Sequence, residues 1–107
     1  WPIAAALDPA KYYTFSVTPP SGCLMDLTQR ANAMKASGSG PTAVAVATSA
    51  DSFTQTSAAT PNVVSTPALS VTGASGAIEI RVYGYTAAAT TGTLRIQNTL
   101  TVTGALR

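Results

Sequence analysis

From Ala77 to Tyr85 the chain reads Ala-Ile-Glu-Ile-Arg-Val-Tyr-Gly-Tyr, and side chains two residues apart on an extended backbone share a face. Ile78, Ile80 and Val82 therefore go to one side, and Glu79, Arg81, Tyr83 and Tyr85 to the other. The period of two returns along the chain. Tyr13, Phe15 and Val17 alternate with Tyr12, Thr14 and Ser16; the valines of Thr42–Thr48 alternate with its alanines, so that both faces of that strand can lie against protein; Leu94 and Ile96 alternate with Thr93, Arg95 and Gln97. Between these runs stand Pro19-Pro20-Ser21-Gly22, Ser37-Gly38-Ser39-Gly40-Pro41 and Gly73-Ala74-Ser75-Gly76, which deny a ladder its donors or supply turn geometry.

Other segments are less regular. Cys23 to Ala36 reads as a strand, although Gln29 to Lys35 also suits a short helix by propensity. In Ser49 to Pro67 the one large anchor is Phe53, which places a short strand near Phe53 to Thr56 and a loop closed by Pro61 and Pro67; Ala68 to Thr72 follows as another strand. At Asn98-Thr99 the pattern breaks and re-aims Leu100 and Val102, as a bulge would. Short strands at near-regular spacing predict an all-β chain: an antiparallel β-sandwich of jelly-roll type with about seven to eight strands. At 107 residues the chain is one domain, 1–107, with room for a single two-layer core.

Composition matters most for what it excludes. Charged residues make up 9% of the chain, against roughly 25% in ordinary domains. The six cations, Lys11, Arg30, Lys35, Arg81, Arg95 and Arg107, are scattered, which excludes a phosphate-tracking surface and so nucleic acid as a partner. No apolar run is long enough for a membrane-spanning helix, so no membrane insertion is expected. Cys23 is the single cysteine, so no intrachain disulfide forms, and it is expected as a small buried residue opening a strand. There is no histidine, which removes Ser-His-Asp and Cys-His chemistry and His-based metal sites together. The four carboxylates are Asp8, Asp26, Asp51 and Glu79, with no Asp-rich loop to hold calcium. No enzyme activity, cofactor or metal is expected.

Several stretches in order, Leu7-Asp8-Pro9, Lys11 to Pro19, Gly38 to Pro41, Ser49 to Phe53, Ile80 to Tyr85 and Gly92 to Asn98, resemble a family of bacterial extracellular β-sandwich modules found in large secreted proteins with PEP-CTERM-type surface-sorting tails. The resemblance spans most of the chain, on residues that mark strands and turns rather than chemistry. It implies secretion or a cell-surface location, an export signal removed ahead of Trp1, and a domain that begins upstream of Trp1-Pro2, leaving an edge strand missing or borrowed from elsewhere. The family's last strand carries an acidic residue where this chain has Gln97, a position that holds calcium in related sugar-binding jelly rolls; the amide departs from that pattern.

Two functions of different class follow. The first is a non-catalytic extracellular structural module, a self-associating subunit of a filament, sheath or matrix whose partners are copies of itself or other surface proteins. Its motive is the charge deficit, which leaves wide Ala, Thr, Ser and Val surface, with Ser/Thr-rich loops that offer O-glycan positions. The second is a carbohydrate-binding module for a polysaccharide, with Tyr12, Tyr83 and Tyr85 as a stacking platform and Arg81, Glu79 and Gln97 as its polar groups. Against that platform, Tyr12 and Tyr83 also suit a role as covers of the sheet, and Glu79 with Arg81 that of a surface ion pair.

Overall fold

A computed structural model describes the backbone of residues 1–62, 64–65 and 68–107, and the side chains of these except 30–33, 64–65 and 96–101. Among the described residues there are eight strands: β1 Tyr13–Val17, β2 Met25–Ala36, β3 Pro41–Thr48, β4 Ser57–Ala59, β5 Val64–Ser65, β6 Ala68–Ala74, β7 Ile78–Ala87 and β8 Leu94–Leu106. They form an antiparallel sandwich. One sheet runs β1-β7-β3-β4; in the other, β2 pairs with β8 on one side and with β5 and β6 on the other. Five of the seven connections cross between sheets, so each strand's apolar face meets a partner from a distant part of the chain.

The core holds Met25, Leu27 and Met34 from β2, Val44 and Val46 from β3, Leu69 and Val71 from β6, Ile78, Ile80 and Val82 from β7, and Leu94 from β8. Phe15 and Val17 pack on it from β1, and Trp1 joins from the N-terminal segment. The inward set of β7 is the one its alternation predicts. On β3 the valines enter the core, while Ala45 and Ala47 on the opposite face are also buried.

Two irregularities explain where the pattern misleads. On β2, Met25 and Leu27 share parity, but Met34 and Ala36, also buried, have the other. The switch comes from register: Leu27 pairs with Gly104 and Gln29 with Thr103, so β2 carries one extra residue there, and a one-residue excess exchanges the faces. On β8 the bulge falls near the expected place, with a different effect. Ala33 pairs with Gln97 and Ala31 with Thr101, so β8 uses four residues where β2 uses two. An even excess leaves the faces unchanged, and Leu94 and Val102 both meet the core; the side chains of Ile96 and Leu100 lie outside the described residues.

Phe53 to Thr56 is not a strand. Ser49–Asp51 forms a 3₁₀ turn, Ser52 and Phe53 take left-handed backbone angles (φ 59° and 61°), and the Asp51 carboxylate accepts the Gln55 N–H at 3.2 Å. The strand begins later, at Ser57. Cys23 is half-buried in the turn before β2 rather than enclosed. At the edge of the first sheet, β1 covers β7 along Ile78–Val82, and further along β7 the N-terminal segment takes over: Thr86 N–H donates to Ala4 O and Ala87 N–H to Pro2 O, each at 3.0 Å. Among the described residues no helix is long and apolar enough to cross a membrane.

Candidate functional site

The outward residues of β7 face a column of alanines. Ala45 pairs with Tyr83 and Ala47 with Arg81, and both alanines are buried. A small residue beside a large one lets the larger side chain lie over it on the pleated surface. Tyr83 and Arg81 are thus laid down on the sheet rather than projected from it.

Two aromatic rings close over them from elsewhere in the chain. Tyr12, just before β1, meets Tyr83 edge-on with centroids 5.7 Å apart, a favoured aromatic geometry. The Arg81 guanidinium carbon lies 4.2 Å from the Tyr12 ring centroid and 3.8 Å from that of Phe53. The cation is held between two π faces, whose negative quadrupoles attract it. Phe53 arrives by the left-handed turn at Ser52-Phe53, anchored by its N–H on Thr48 O at 3.0 Å. The sequence marks Phe53 as a lone large residue in a polar loop, but carries no signal of what it covers.

Glu79 completes the cluster. It accepts from the Thr14 hydroxyl at 2.8 Å and from Arg81 Nε at 3.4 Å, so the expected surface ion pair is present. The Thr14 hydroxyl, against some desolvation and with help from Arg81, holds the Glu79 carboxyl below its ordinary value. Desolvation works against the charge on Arg81; its hydrogen bonds to Tyr83 and Glu79 outweigh it and raise the pKa.

Of the residues expected in a sugar platform, the structure brings Tyr12, Glu79, Arg81, Tyr83 and Tyr85 to one sheet face and leaves Gln97 on β8 of the other sheet; the Gln97 side chain lies outside the described residues. Tyr83 is only 3% exposed, so its ring has no face to offer a sugar. Tyr12 has spent its face on Arg81. Tyr85, half-buried beside Ala43, is left without an aromatic partner among the described residues. The cluster fastens β1, β7 and the 49–56 loop together.

The other carboxylates are fasteners too. Asp26 is held below its ordinary value chiefly by its hydrogen bond from Arg107, then by the Gly73 N–H, against a desolvation cost. Asp8 accepts the Ala10 N–H at 2.9 Å in a turn. Among the described residues no group of three or more His, Cys, Asp or Glu could hold a metal ion.

A pH dependence follows. Carboxyls whose folded pKa is depressed add stability above their unfolded values, and that stability is lost as pH falls through the folded pKa. For Asp26 and Glu79 the ordinary values are 3.8 and 4.5. With no histidine to titrate, the melting temperature is expected to be level between about pH 5 and 7 and to drop on acidification below that window. Thermal melts followed by circular dichroism check this; a change of several degrees within the level window would contradict it.

Comparison with family models, with curated proteins and with solved structures finds no match to the chain.

Proposed function

We propose that the chain is a non-catalytic structural module that self-associates through the free edge of β8 and serves in an extracellular filament, sheath or matrix. The observation that carries this reading is the edge itself. β8 is 13 residues long, and among the described residues β2 is its one strand neighbour. Natural edges are blunted by lysines, prolines or bulges. From Ile96 to Leu106 β8 has no charged residue and no proline; its own bulge lies between Gln97 and Thr101, and the extra residue opposite Thr103 and Gly104 belongs to β2. Thr101 to Leu106 is left as an unprotected template, with Leu106 57% exposed.

An antiparallel pairing of this segment with its own copy is self-complementary, as a twofold contact requires. The edge strands of the first sheet, β1 and β4, supply the second contact that a row of copies needs. The low surface charge supports the reading, since it offers little electrostatic repulsion between copies. The location outside the cell rests on the resemblance to secreted modules. Burial of Tyr83 weighs against the tyrosine platform.

Light scattering at micromolar concentration tests this. The wild-type chain is expected above monomer mass, and the double variant Thr103→Lys/Leu106→Lys at monomer mass with an unchanged circular dichroism spectrum, because both positions are exposed and an antiparallel pair would bring the new charges together. A monomeric wild-type chain, or a variant that assembles equally well, would sink the proposal.

A further inference from the structure

Towards its end β8 presents Val102, Gly104 and Leu106 on one face. Met25 pairs with Leu106 and Leu27 with Gly104, and residues directly opposed across two strands share a face of the sheet. Met25 and Leu27 belong to the core, and Val102 packs against it, so this is the core-facing side. Leu106 nonetheless stays mostly exposed: among the described residues no strand lies beyond β8 to close the layer over it. Gly104 leaves a gap in the row that the chain cannot fill itself, because a Cβ there would overlap the Asp26 carbonyl oxygen. The result is a hollow of about 200 Å³, lined by residues 25–27 of β2 and by Val102 and 104–106 of β8.

The backbone restricts how a second strand can be laid along this edge. Arg107 exchanges both of its backbone hydrogen bonds with Leu24, so its N–H and C=O point at β2; those of Leu106, and by alternation those of Gly104 and Val102, point away. An antiparallel copy has to set these outward residues opposite one another, which puts the twofold axis on a residue and never between two. An axis at Gly104 opposes the two glycines and leaves both hollows open. An axis at Thr103 opposes Gly104 to Val102, whose side chain is already packed on its own core. An axis at Ala105 brings Leu106 of each copy opposite Gly104 of the other, and a large side chain directly across from a strand glycine covers the gap it leaves. The same register sets Arg107, the one charged residue of this stretch, opposite the neutral Thr103 and keeps the two cations apart.

We propose that two copies of the chain meet about a twofold axis at Ala105, each placing Leu106 in the hollow over Gly104 of the other and exchanging both backbone hydrogen bonds between those residues. This rests on β8 being the self-association edge, and adds the register and the side chain that anchors it.

Cysteine cross-linking in a Cys23→Ser background, which removes the chain's own thiol, tests the register. Positions 103 and 105 are both exposed, so either accepts a cysteine without disturbing the core. Ala105 falls opposite itself in a non-hydrogen-bonded pair, with Cα atoms about 4.5 Å apart, within reach of a disulfide. Under mild oxidation Ala105→Cys is expected to give at least roughly tenfold more covalent dimer on non-reducing gels than Thr103→Cys, whose opposite residue carries no thiol. Dimer formed by Thr103→Cys alone would move the axis to Thr103, and dimer formed only when the two variants are mixed would move it to Gly104; either overturns the register while leaving the β8 edge in place. A chain that light scattering finds monomeric at the cross-linking concentration, with no covalent dimer from any variant, would overturn the self-association along with it.

Discussion

Gly92→Ala is expected to destabilise the domain by about 3 kcal/mol or more, a fall in melting temperature on the order of 15 °C for a chain of this size. Gly92 is buried where the 89–93 loop crosses the 37–40 loop, and a Cβ there would overlap the Ser39 carbonyl and sit 2.5 Å from Gly40 Cα. These are backbone atoms with no room to give. The crossing is tied by Ser37 N–H to Thr93 O at 2.9 Å, Ala89 N–H to Ser39 O at 3.1 Å and Thr93 N–H to Ser37 Oγ at 3.0 Å. Gly40 faces the same contact, since a Cβ on it would strike Thr93 O. Gly38→Ala is the control: nothing lies within 4 Å of its added Cβ, so it should be neutral, or stabilising by up to about 1 kcal/mol through the unfolded chain. Urea denaturation of both variants decides the matter. A Gly92→Ala protein as stable as wild type would mean that the two loops do not interlock.

Tyr83→Ala should cost about 3 kcal/mol or slightly more, made up of the buried ring and its edge-on contact with Tyr12. Tyr85→Ala, at a half-exposed position, should cost less than about 1 kcal/mol. A solvent-facing sugar platform would give the opposite ranking of effects, with both variants stable and polysaccharide retention lost. The comparison needs equilibrium unfolding and a binding assay on the same preparations. A stable Tyr83→Ala protein would show that the ring is not part of the packed structure, and the cluster around Arg81 would have to be redrawn.

The legibility of this fold depended on range along the chain. Alternation in β7 and β1 places Ile78, Ile80, Val82, Phe15 and Val17 correctly because the stretches that pair, 13–17 and 78–82, keep one phase throughout. The alanine face of β3 was readable as able to meet protein, but not that Arg81 and Tyr83 would lie on it. β2 stayed ambiguous between strand and helix because the extra residue between Leu27 and Gln29 exchanges its faces halfway, and no glycine or proline marks that point. The turn at Ser52-Phe53 was hidden for a related reason: two non-glycine residues adopt left-handed angles, which propensity argues against.

The outward tyrosines of β7 fall on one face by period two alone. What buries Tyr83 is Tyr12, roughly seventy positions away in sequence, together with its place beside Ala45, and local pattern holds no information on either. Gln97 also lies on an alternating strand, but sheet membership is a long-range property, and β8 pairs with β2 rather than β7.

Amide hydrogen exchange at two neighbouring positions on β8 tests the self-association most directly. Leu24 and Arg107 exchange both backbone hydrogen bonds, at 2.6 and 2.9 Å, so the Leu106 N–H points away from β2 toward the free edge. On raising the protein from dilute to micromolar and higher concentration, the Leu106 amide should become strongly protected while the Arg107 amide, already bonded within the monomer, changes little. Rapid exchange at Leu106 at every concentration would mean that no second strand is laid along β8.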